Sequence, residues 1–290
     1  MNEVLKTIMD LMTLIFIITS MLSVGLGLTA KQMLEPLKNI RFVILSLVAN
    51  FIIIPAAAFL LITFLPLDRP LQIGIMILAC AAGAPVLPEL VKIAKGDVAA
   101  SVGLIIMLLA VTIIFLPIVL PLMLPGIKIG IWAVAKNLLL LMLAPLAVAM
   151  FVRARWKEIA EKLERIFARA SNYSLILLMV LMLVVKWQYI ISKFGSFGIL
   201  ASFILVVIGF GSGYLLGGPS TSAKRVLSLG TAQRNIAAAM IVANYNFYNE
   251  VLIMVVVFKV ISLILAIPLA VEWGRRSRKA LAAGSIEKKK

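Results

Sequence analysis

The sequence predicts an all-α integral membrane protein with nine transmembrane helices, two of which are broken near the middle. Of the 290 residues, 63% are hydrophobic, and the mean hydropathy is +1.14. Soluble domains are nearer half apolar, whereas runs of about 20 apolar residues have the length of a membrane-spanning helix. Such runs follow one another along the whole chain, which leaves little sequence for a soluble domain.

The predicted spans are separated by short polar stretches. They lie at residues 5–29, 41–64, 71–95, 97–124, 129–152, 170–188, 195–217, 221–246 and 250–273. The first run is long for a signal-peptide core, so we expect it to be retained as a helix. Residues 153–169 carry apolar side chains at helical spacing among basic ones, a pattern typical of a cytoplasmic interfacial helix. Residues 274–290 form a basic cytoplasmic tail.

The formal net charge of +16 also fits a membrane protein. The charges lie in short stretches between apolar spans, so they predict membrane lipids as partners and argue against nucleic acid. Most lysine and arginine residues lie in the segments between spans that are on the same side of the membrane as the C-terminus. The positive-inside rule then places the C-terminus in the cytoplasm and the N-terminus outside, and we expect a prokaryotic plasma (inner) membrane.

Several features predict packing instead of chemistry. A single cysteine, Cys80, excludes an internal disulfide and is expected to fill space, and the sequence contains no histidine. Gly209, Gly213 and Gly217 recur every four residues and predict a face for close helix packing. No metal site, cofactor or catalytic residue is predicted, because HExxH and G-x-S-x-G patterns are absent from the sequence. The chain is therefore not expected to be an enzyme.

The two interrupted spans are the third and the eighth. Gly83, Pro85 and Pro88 break the third, and the eighth is broken at Gly230 and by the polar residues after it. A break in lipid leaves backbone N–H and C=O groups unpaired, which is tolerated only against protein or a wet cavity. These breaks therefore predict a buried functional region.

The five-span offset between the breaks gives them opposite orientations in the membrane. Paired broken spans in two inverted halves indicate a transporter binding site where the broken helices cross. We therefore predict two inverted repeats, at residues 5–124 and 129–273, with one helix missing from the first.

Four motifs, in this order, resemble the bile acid:sodium symporter family. "GLGLTAKQM" is similar to its GMGLTL stretch, and "GAPVLPELVKIAKGDVAAS" occupies the place of its first crossover. "GSGYLLG" matches GxGYLLG before the second crossover, and "GTAQRNIAAA" stands at that crossover itself. The resemblance implies nine or ten spans in inverted repeats, a core domain with crossed broken helices and a panel domain. It also implies transport of organic anions such as bile acids, pyruvate-like acids or pantoate-like acids.

The sequence departs from the family at its sodium ligands. Gly230 and Arg234 stand where sodium-coupled members carry a glutamate and a glutamine, and Pro88 and Glu89 replace a Ser-Asn pair. Residues 104–111 offer none of the expected hydroxyl groups. Asn50 stands where the family has a glutamine ligand, so it is a candidate residual cation ligand. Hard cations need oxygen ligands, and these replacements argue against sodium coupling.

Arg234 is predicted to be a tethered cation that replaces sodium, with Glu89 as its ion-pair partner. The pair would offset part of the cost of burial, and an alternative is that it only locks the core. Lys259, mid-depth in the last span, is predicted to favour an anion, with proton carriage as an alternative role. The half-helices beginning near Leu87 and Asn235 present free N–H groups to an anion. The predicted substrate site consists of Pro85, Leu87, Glu89, Thr231, Gln233, Arg234, Asn235 and Lys259.

The function predicted from these features is secondary transport of a small organic carboxylate by alternating access. Sodium coupling is not expected, and proton coupling is the alternative. Two other interpretations stay open: an exchanger of inorganic ions or oxyanions, and a membrane sensor that binds a ligand without moving it. The short basic tail carries no signalling domain, which argues against the sensor.

Overall fold

The computed structural model describes residues 3–27, 38–124, 130–185, 188, 197–247 and 249–287. Within these ranges the ordered secondary structure is helical, and eight helical segments, one of which is Thr221–Asn246 with its break, are long and apolar enough to cross a membrane. The part of "GLGLTAKQM" beyond Gly27 lies outside the described residues, as do Lys128, residues 189–196 and the last three residues of the tail.

The helices are numbered in chain order, and the short gaps inside two predicted spans divide those spans into two helices each. They are α1 (Glu3–Gly27), α2 (Ile40–Phe64), α3 (Arg69–Cys80), α4 (Leu87–Ile93), α5 (Val98–Met123), α6 (Ile131–Arg155), α7 (Lys157–Val185), α8 (Gly198–Leu216), α9 (Thr221–Ala232), α10 (Ile236–Asn246) and α11 (Asn249–Glu287).

The helices pack in two groups. In the first group α1 lies along α6 and α7, and Leu26, Ala149 and Ala160 form a small buried cluster between them. In the second group α8 packs on α9 and α11, while α11 also packs on α3. Contacts of α10 with α1 and α6, and of α5 with α6, join the two groups.

Both predicted breaks are present. The third predicted span is interrupted between Cys80 and Leu87, and the eighth between Ala232 and Ile236. Gly83 has φ +86°, in the left-handed region that glycine adopts without strain, and an added Cβ would lie 3.0 Å from the Ile105 carbonyl oxygen. Residues 226–243, which include the second break, are all buried, so that break faces protein.

A π-helical stretch in α2, Ala49–Ile53, ends two residues before Pro55. The N–H of Ile54 bonds to the Ala49 carbonyl, five residues back. In this register the Asn50 carbonyl would accept from residue 55, but proline has no N–H. The Asn50 carbonyl is therefore free to accept a hydrogen bond from another helix.

The interfacial helix predicted at residues 153–169 is not a separate element. The helical conformation is interrupted only at Trp156, and α7 then runs without interruption from Lys157 to Val185. That stretch contains neither proline nor glycine, so nothing in the sequence ends the helix. Its apolar residues Leu163 and Phe167 pack on the cluster formed with α1 and α6, which gives this amphipathic face a protein partner.

The predicted glycine face is confirmed. A Cβ added at Gly209 would lie 2.7 Å from the Ala232 Cα, and one at Gly213 would lie 2.6 Å from the Ser228 Cα. At Gly217 an added Cβ would meet the backbone of Lys224. The backbones of α8 and α9 therefore touch along the whole stripe, which fixes α9 and the break that follows it. Cys80 is a free, fully buried thiol inside the main core, as predicted for a packing residue.

Candidate functional site

The two breaks touch each other through their backbones. The Asn235 N–H in the second break donates to the Ala81 carbonyl in the first, at 2.9 Å. Thr112 of α5 forms hydrogen bonds with the backbone of the first break. Its Oγ1 accepts from the Ala82 N–H at 3.0 Å and donates to the Ala82 carbonyl at 3.2 Å. These four backbone groups, which lie where the helices are interrupted, are thus paired within the protein.

Arg234 occupies the point of contact between the breaks and is 2% exposed. Its Nε donates to the Leu78 carbonyl at 2.9 Å, and its Nη2 donates to the Ala79 carbonyl at 2.5 Å. Both carbonyls lie in the last turn of α3, where the helix dipole is negative. The guanidinium therefore caps the C-terminal end of this half-helix.

The rest of the guanidinium is bound by Asn50 and Thr231. Nη1 donates to Asn50 Oδ1 at 2.8 Å and to the Thr231 carbonyl at 3.4 Å, while Nη2 reaches the Asn50 carbonyl at 3.5 Å. The last of these is the carbonyl that the π-helical stretch leaves free. A guanidinium has five N–H donors, and these oxygens with the two from α3 supply an acceptor for each.

The side chain of Asn50 is held in one orientation by its own hydrogen bonds. Its Nδ2 donates to the Ser46 carbonyl at 3.0 Å and to Thr231 Oγ1 at 3.2 Å, which turns Oδ1 toward Arg234. The amide predicted to be a residual cation ligand thus contacts a cation, and that cation is the guanidinium of Arg234.

Glu89 is not the partner of Arg234. Glu89 lies in the first turn of α4 and is exposed, and neither residue forms an ion pair with any residue that the structure describes. The predicted pair is therefore absent from this conformation. The physical reason is that oxygen dipoles from α2, α3 and the second break already surround the guanidinium, so that no carboxylate is needed there.

Gln233 points its side chain toward α11. The Lys259 Nζ donates to Gln233 Oε1 at 3.2 Å, and Gln233 Nε2 donates to the Ser262 carbonyl at 3.0 Å. Gln233 has an extended backbone, in which neighbouring side chains point to opposite sides. Gln233 therefore connects the second break to α11, while Arg234 connects it to α2 and α3.

Asn235 begins α10 and caps it. Its Oδ1 accepts from the Ala238 N–H at 3.1 Å, as an N-cap side chain does. Its Nδ2 is buried and has no hydrogen-bond partner among the residues described. An unpaired buried donor is costly, and here it lies at the positive end of a half-helix. This N–H group is thus available to an anionic ligand.

The space beside Gly230 is filled with leucine. A Cβ at this position would lie 2.9 Å from Leu104 Cδ2 and 3.1 Å from Leu87 Cδ2, and both leucines are buried. A carboxylate projecting from residue 230 would enter this apolar packing. In the described part of the chain, no group of three or more acidic, cysteine or histidine residues could hold a metal ion.

The predicted site is thus only partly assembled. Hydrogen bonds join Asn50, Thr231 and Arg234 into one set and Gln233 and Lys259 into a second, and the two sets meet only through the backbone of the second break, in which Asn235 follows Arg234. The structure places the remaining predicted residues on or beside the first break. Pro85 is half-buried in the turn of that break, Leu87 packs on Gly230, and Glu89 faces outward.

Sequence reasoning missed the groups that complete the site. The Leu78 and Ala79 carbonyls bind Arg234 through the backbone, which carries no side-chain signal. Thr112 lies one residue beyond the stretch 104–111 in which a hydroxyl was sought. Ser262 lies one turn after Lys259 in α11, and this spacing was an available signal.

Replacing Thr112 by valine tests the pairing of the first break. Valine keeps the shape but leaves the Ala82 N–H without its acceptor, so we expect a loss of about 1–3 kcal/mol of stability, seen as a lower melting temperature. Thr13→Val is the control, because the Thr13 hydroxyl is also buried but donates only to the Met9 carbonyl inside α1. Equal effects of the two substitutions would contradict a special role for Thr112.

Comparison with known proteins bears on this arrangement. A family model described as the sodium bile acid symporter family matches residues 14–193, which is more than half of the chain. The matched region includes α2, α3 and the whole first break. Among curated proteins no significant match was found. Members of the matched family are membrane transporters and not enzymes, and the described helices of this chain have the required length and hydropathy. The chain belongs to the sodium bile acid symporter family.

Proposed function

We propose that this protein is a secondary transporter of small organic carboxylates that works by alternating access and needs no sodium. The observation that carries the proposal is the guanidinium of Arg234, a permanent cation bound by protein oxygens between the two breaks. A tethered cation supplies the positive charge at this place in every state. It cannot be released, so it cannot couple transport to a cation gradient.

The preference for an anion is supported by the buried charges. Of the residues that the structure describes, Arg234 and Lys259 are the two buried charged side chains, and no aspartate or glutamate is buried with them. The residue after Arg234 is Asn235, whose Nδ2 is unpaired and which stands at the N-terminal end of α10. Backbone N–H groups at a helix N-terminus bind carboxylates readily, so we place the substrate's carboxylate there.

The proposed architecture counts α3 with α4 as one broken span and α9 with α10 as another, which gives nine spans. We propose two inverted repeats, at residues 5–124 and 129–273, in the inner membrane with the C-terminus in the cytoplasm. The helices around the breaks would form the core domain, and α1, α6 and α7 the panel domain. Rocking of one against the other would expose the site to each side in turn.

The proposal is tested by flux into proteoliposomes. The probes are radiolabelled pyruvate, pantoate and cholate, each measured with sodium and with choline as the cation. We expect saturable uptake of one of them at equal rates in the two salts. Uptake that requires sodium would contradict the proposal. Binding without flux would favour a sensor, and flux of inorganic oxyanions alone would favour an exchanger.

The anion site is tested by Asn235→Asp in the same assay. Aspartate keeps the oxygen that caps α10 but replaces the free donor with a negative charge, so we expect uptake to fall at least about tenfold. Asn246→Asp is the matched control, since the Asn246 Nδ2 is already paired with the Val242 carbonyl. Unchanged uptake in Asn235→Asp would exclude this residue from the site.

A further inference from the structure

Lys259 and Arg234 are both buried, but they are paired very differently. The guanidinium of Arg234 has an oxygen acceptor for every N–H group. Lys259, 4% exposed, has one acceptor among the described residues, Gln233 Oε1 at 3.2 Å. The Ser262 hydroxyl directs its one hydrogen to the Lys259 carbonyl, at 2.9 Å, or to Gln233 Oε1, at 3.4 Å, and Nζ makes no hydrogen bond to it. An ammonium group at this position would therefore keep two N–H donors unpaired.

No charged partner compensates Lys259 from the helices packed against α11. These helices are α3, α4, α7, α8, α9 and α10. Their titratable and charged groups are Arg69 and Cys80 (α3), Glu89 and Lys92 (α4), Lys157 to Arg169 and Tyr173 (α7), Tyr214 (α8), Lys224 and Arg225 (α9) and Tyr245 (α10). Among the described residues Nζ bonds to Gln233 Oε1 and to none of these groups, and Arg234 directs its guanidinium to the opposite side of the second break.

The two buried cations also differ in chemistry. Arginine stays protonated in proteins, whereas a buried lysine can release and take up a proton. A coupled transporter needs a site that binds its coupling cation on one side and releases it on the other. The Arg234 charge cannot be released, and the Lys259 proton can.

We propose that Lys259 is the proton-binding site of this transporter and that the organic anion is carried together with one proton. The inference rests on the proposed function, because it names the coupling ion of the same transport cycle. On loading, the Lys259 amine takes a proton from solution through its lone pair, and the resulting ammonium pairs with the carboxylate. On release the carboxylate leaves and the N–H bond returns its proton to the solution on the other side, so no net charge crosses with the pair.

Gln233 connects this proton site to the anion site. Its side chain binds Lys259 and Ser262 of α11, while its backbone lies in the same three-residue break as Asn235, which caps α10. Protonation of Lys259 gives it donors that only an added acceptor can satisfy. Gln233, which Lys259 contacts, lies in the same break as Asn235 with its unpaired Nδ2. Proton uptake and anion binding therefore favour each other.

The test uses proteoliposomes that enclose a fluorescent pH indicator and receive an equimolar mixture of labelled pyruvate, pantoate and cholate. Label uptake and internal pH are recorded together, and protein-free liposomes supply the correction for passive entry of the acids. We expect the wild type to acidify the interior as label enters. With an imposed pH difference of one unit, acid outside, label should accumulate about tenfold, as one proton per anion requires.

Two substitutions at Lys259 separate charge from proton carriage. Lys259→Met removes the amine and is expected to lower uptake at least about tenfold and to abolish acidification. Lys259→Arg keeps the charge but cannot release a proton, so we expect it to exchange internal for external label without accumulation. Lys136→Met is the matched control, because Lys136 is exposed on α6 and should behave as the wild type. Folding of every variant is checked by its melting temperature.

Three results would overturn part or all of these proposals. Label uptake by the wild type without acidification overturns proton coupling and leaves the proposed transport function intact. Proton-driven accumulation by both Lys259→Met and Lys259→Arg overturns the assignment to Lys259. No uptake of any label by the wild type overturns transport of these carboxylates, and the proton coupling with it.

Discussion

Replacing Arg234 by methionine is expected to destabilise the folded protein by about 3 kcal/mol or more. Methionine fills part of the space but leaves the Leu78 and Ala79 carbonyls and Asn50 Oδ1 buried without their donor. Each buried acceptor that loses its partner costs about 1–3 kcal/mol. The melting temperature of the detergent-purified protein, measured by intrinsic fluorescence, should fall accordingly. Arg234→Lys keeps the charge with fewer donors, so it should recover part of the loss.

Arg276→Met is the control for this prediction. Arg276 is exposed and pairs with Glu272 one turn earlier in α11, and an exposed pair of this kind contributes about 0–1 kcal/mol. Its melting temperature should stay close to that of the wild type. An Arg234→Met protein as stable as Arg276→Met would show that the guanidinium does not hold the two breaks together.

Replacing Gly213 by alanine is expected to have an effect of similar size by a different mechanism. The added Cβ would lie 2.6 Å from the Ser228 Cα, and backbone atoms of a buried helix cannot move aside as a flexible side chain can. Overpacking of this kind costs about 1–3 kcal/mol and sometimes more. The second break follows α9 directly, so we expect a shift of α9 away from α8 to displace Arg234 as well. We expect a large fall in melting temperature.

Gly211→Ala is the matched control for the stripe formed by Gly209, Gly213 and Gly217. Gly211 lies in the same helix two residues earlier, and an added Cβ there meets nothing within 4 Å. Alanine is a better helix former than glycine by about 1 kcal/mol, so this protein should be as stable as the wild type or slightly more so. Equal destabilisation at both positions would mean that α8 and α9 are not in backbone contact.

The breaks and the glycine face could be predicted because each has a signal within one segment. Proline and glycine interrupt an apolar run at Gly83 and Pro85, and glycine at every fourth position marks one helix face. The surroundings of the first part of α7 were harder to predict. An amphipathic segment indicates that its apolar face has a partner, but not whether that partner is lipid or α1. This face was predicted to lie at the membrane interface, and in the structure Leu163 and Phe167 pack on α1 and α6 instead.

The partners of Arg234 could not be predicted for a physical reason. Charge complementarity suggested Glu89, yet the groups that compensate the guanidinium are carbonyl oxygens at the end of α3 and at a π-helical turn. Helix ends and altered registers expose carbonyls whatever side chains they carry. Pro55 was the one sequence signal, because its missing N–H leaves the Asn50 carbonyl free.

The most direct test of the central claim, that Arg234 takes the place of a sodium ion, is the melting temperature in sodium chloride and in equimolar choline chloride. A ligand that binds the folded state raises its stability by about 2.7 kcal/mol at a hundred times the dissociation constant. We predict no difference between the salts for the wild type, and a sodium-specific rise for Arg234→Gln, in which the freed oxygens of Asn50, Leu78 and Ala79 can bind a hard cation. A sodium-specific rise in the wild type would contradict the account.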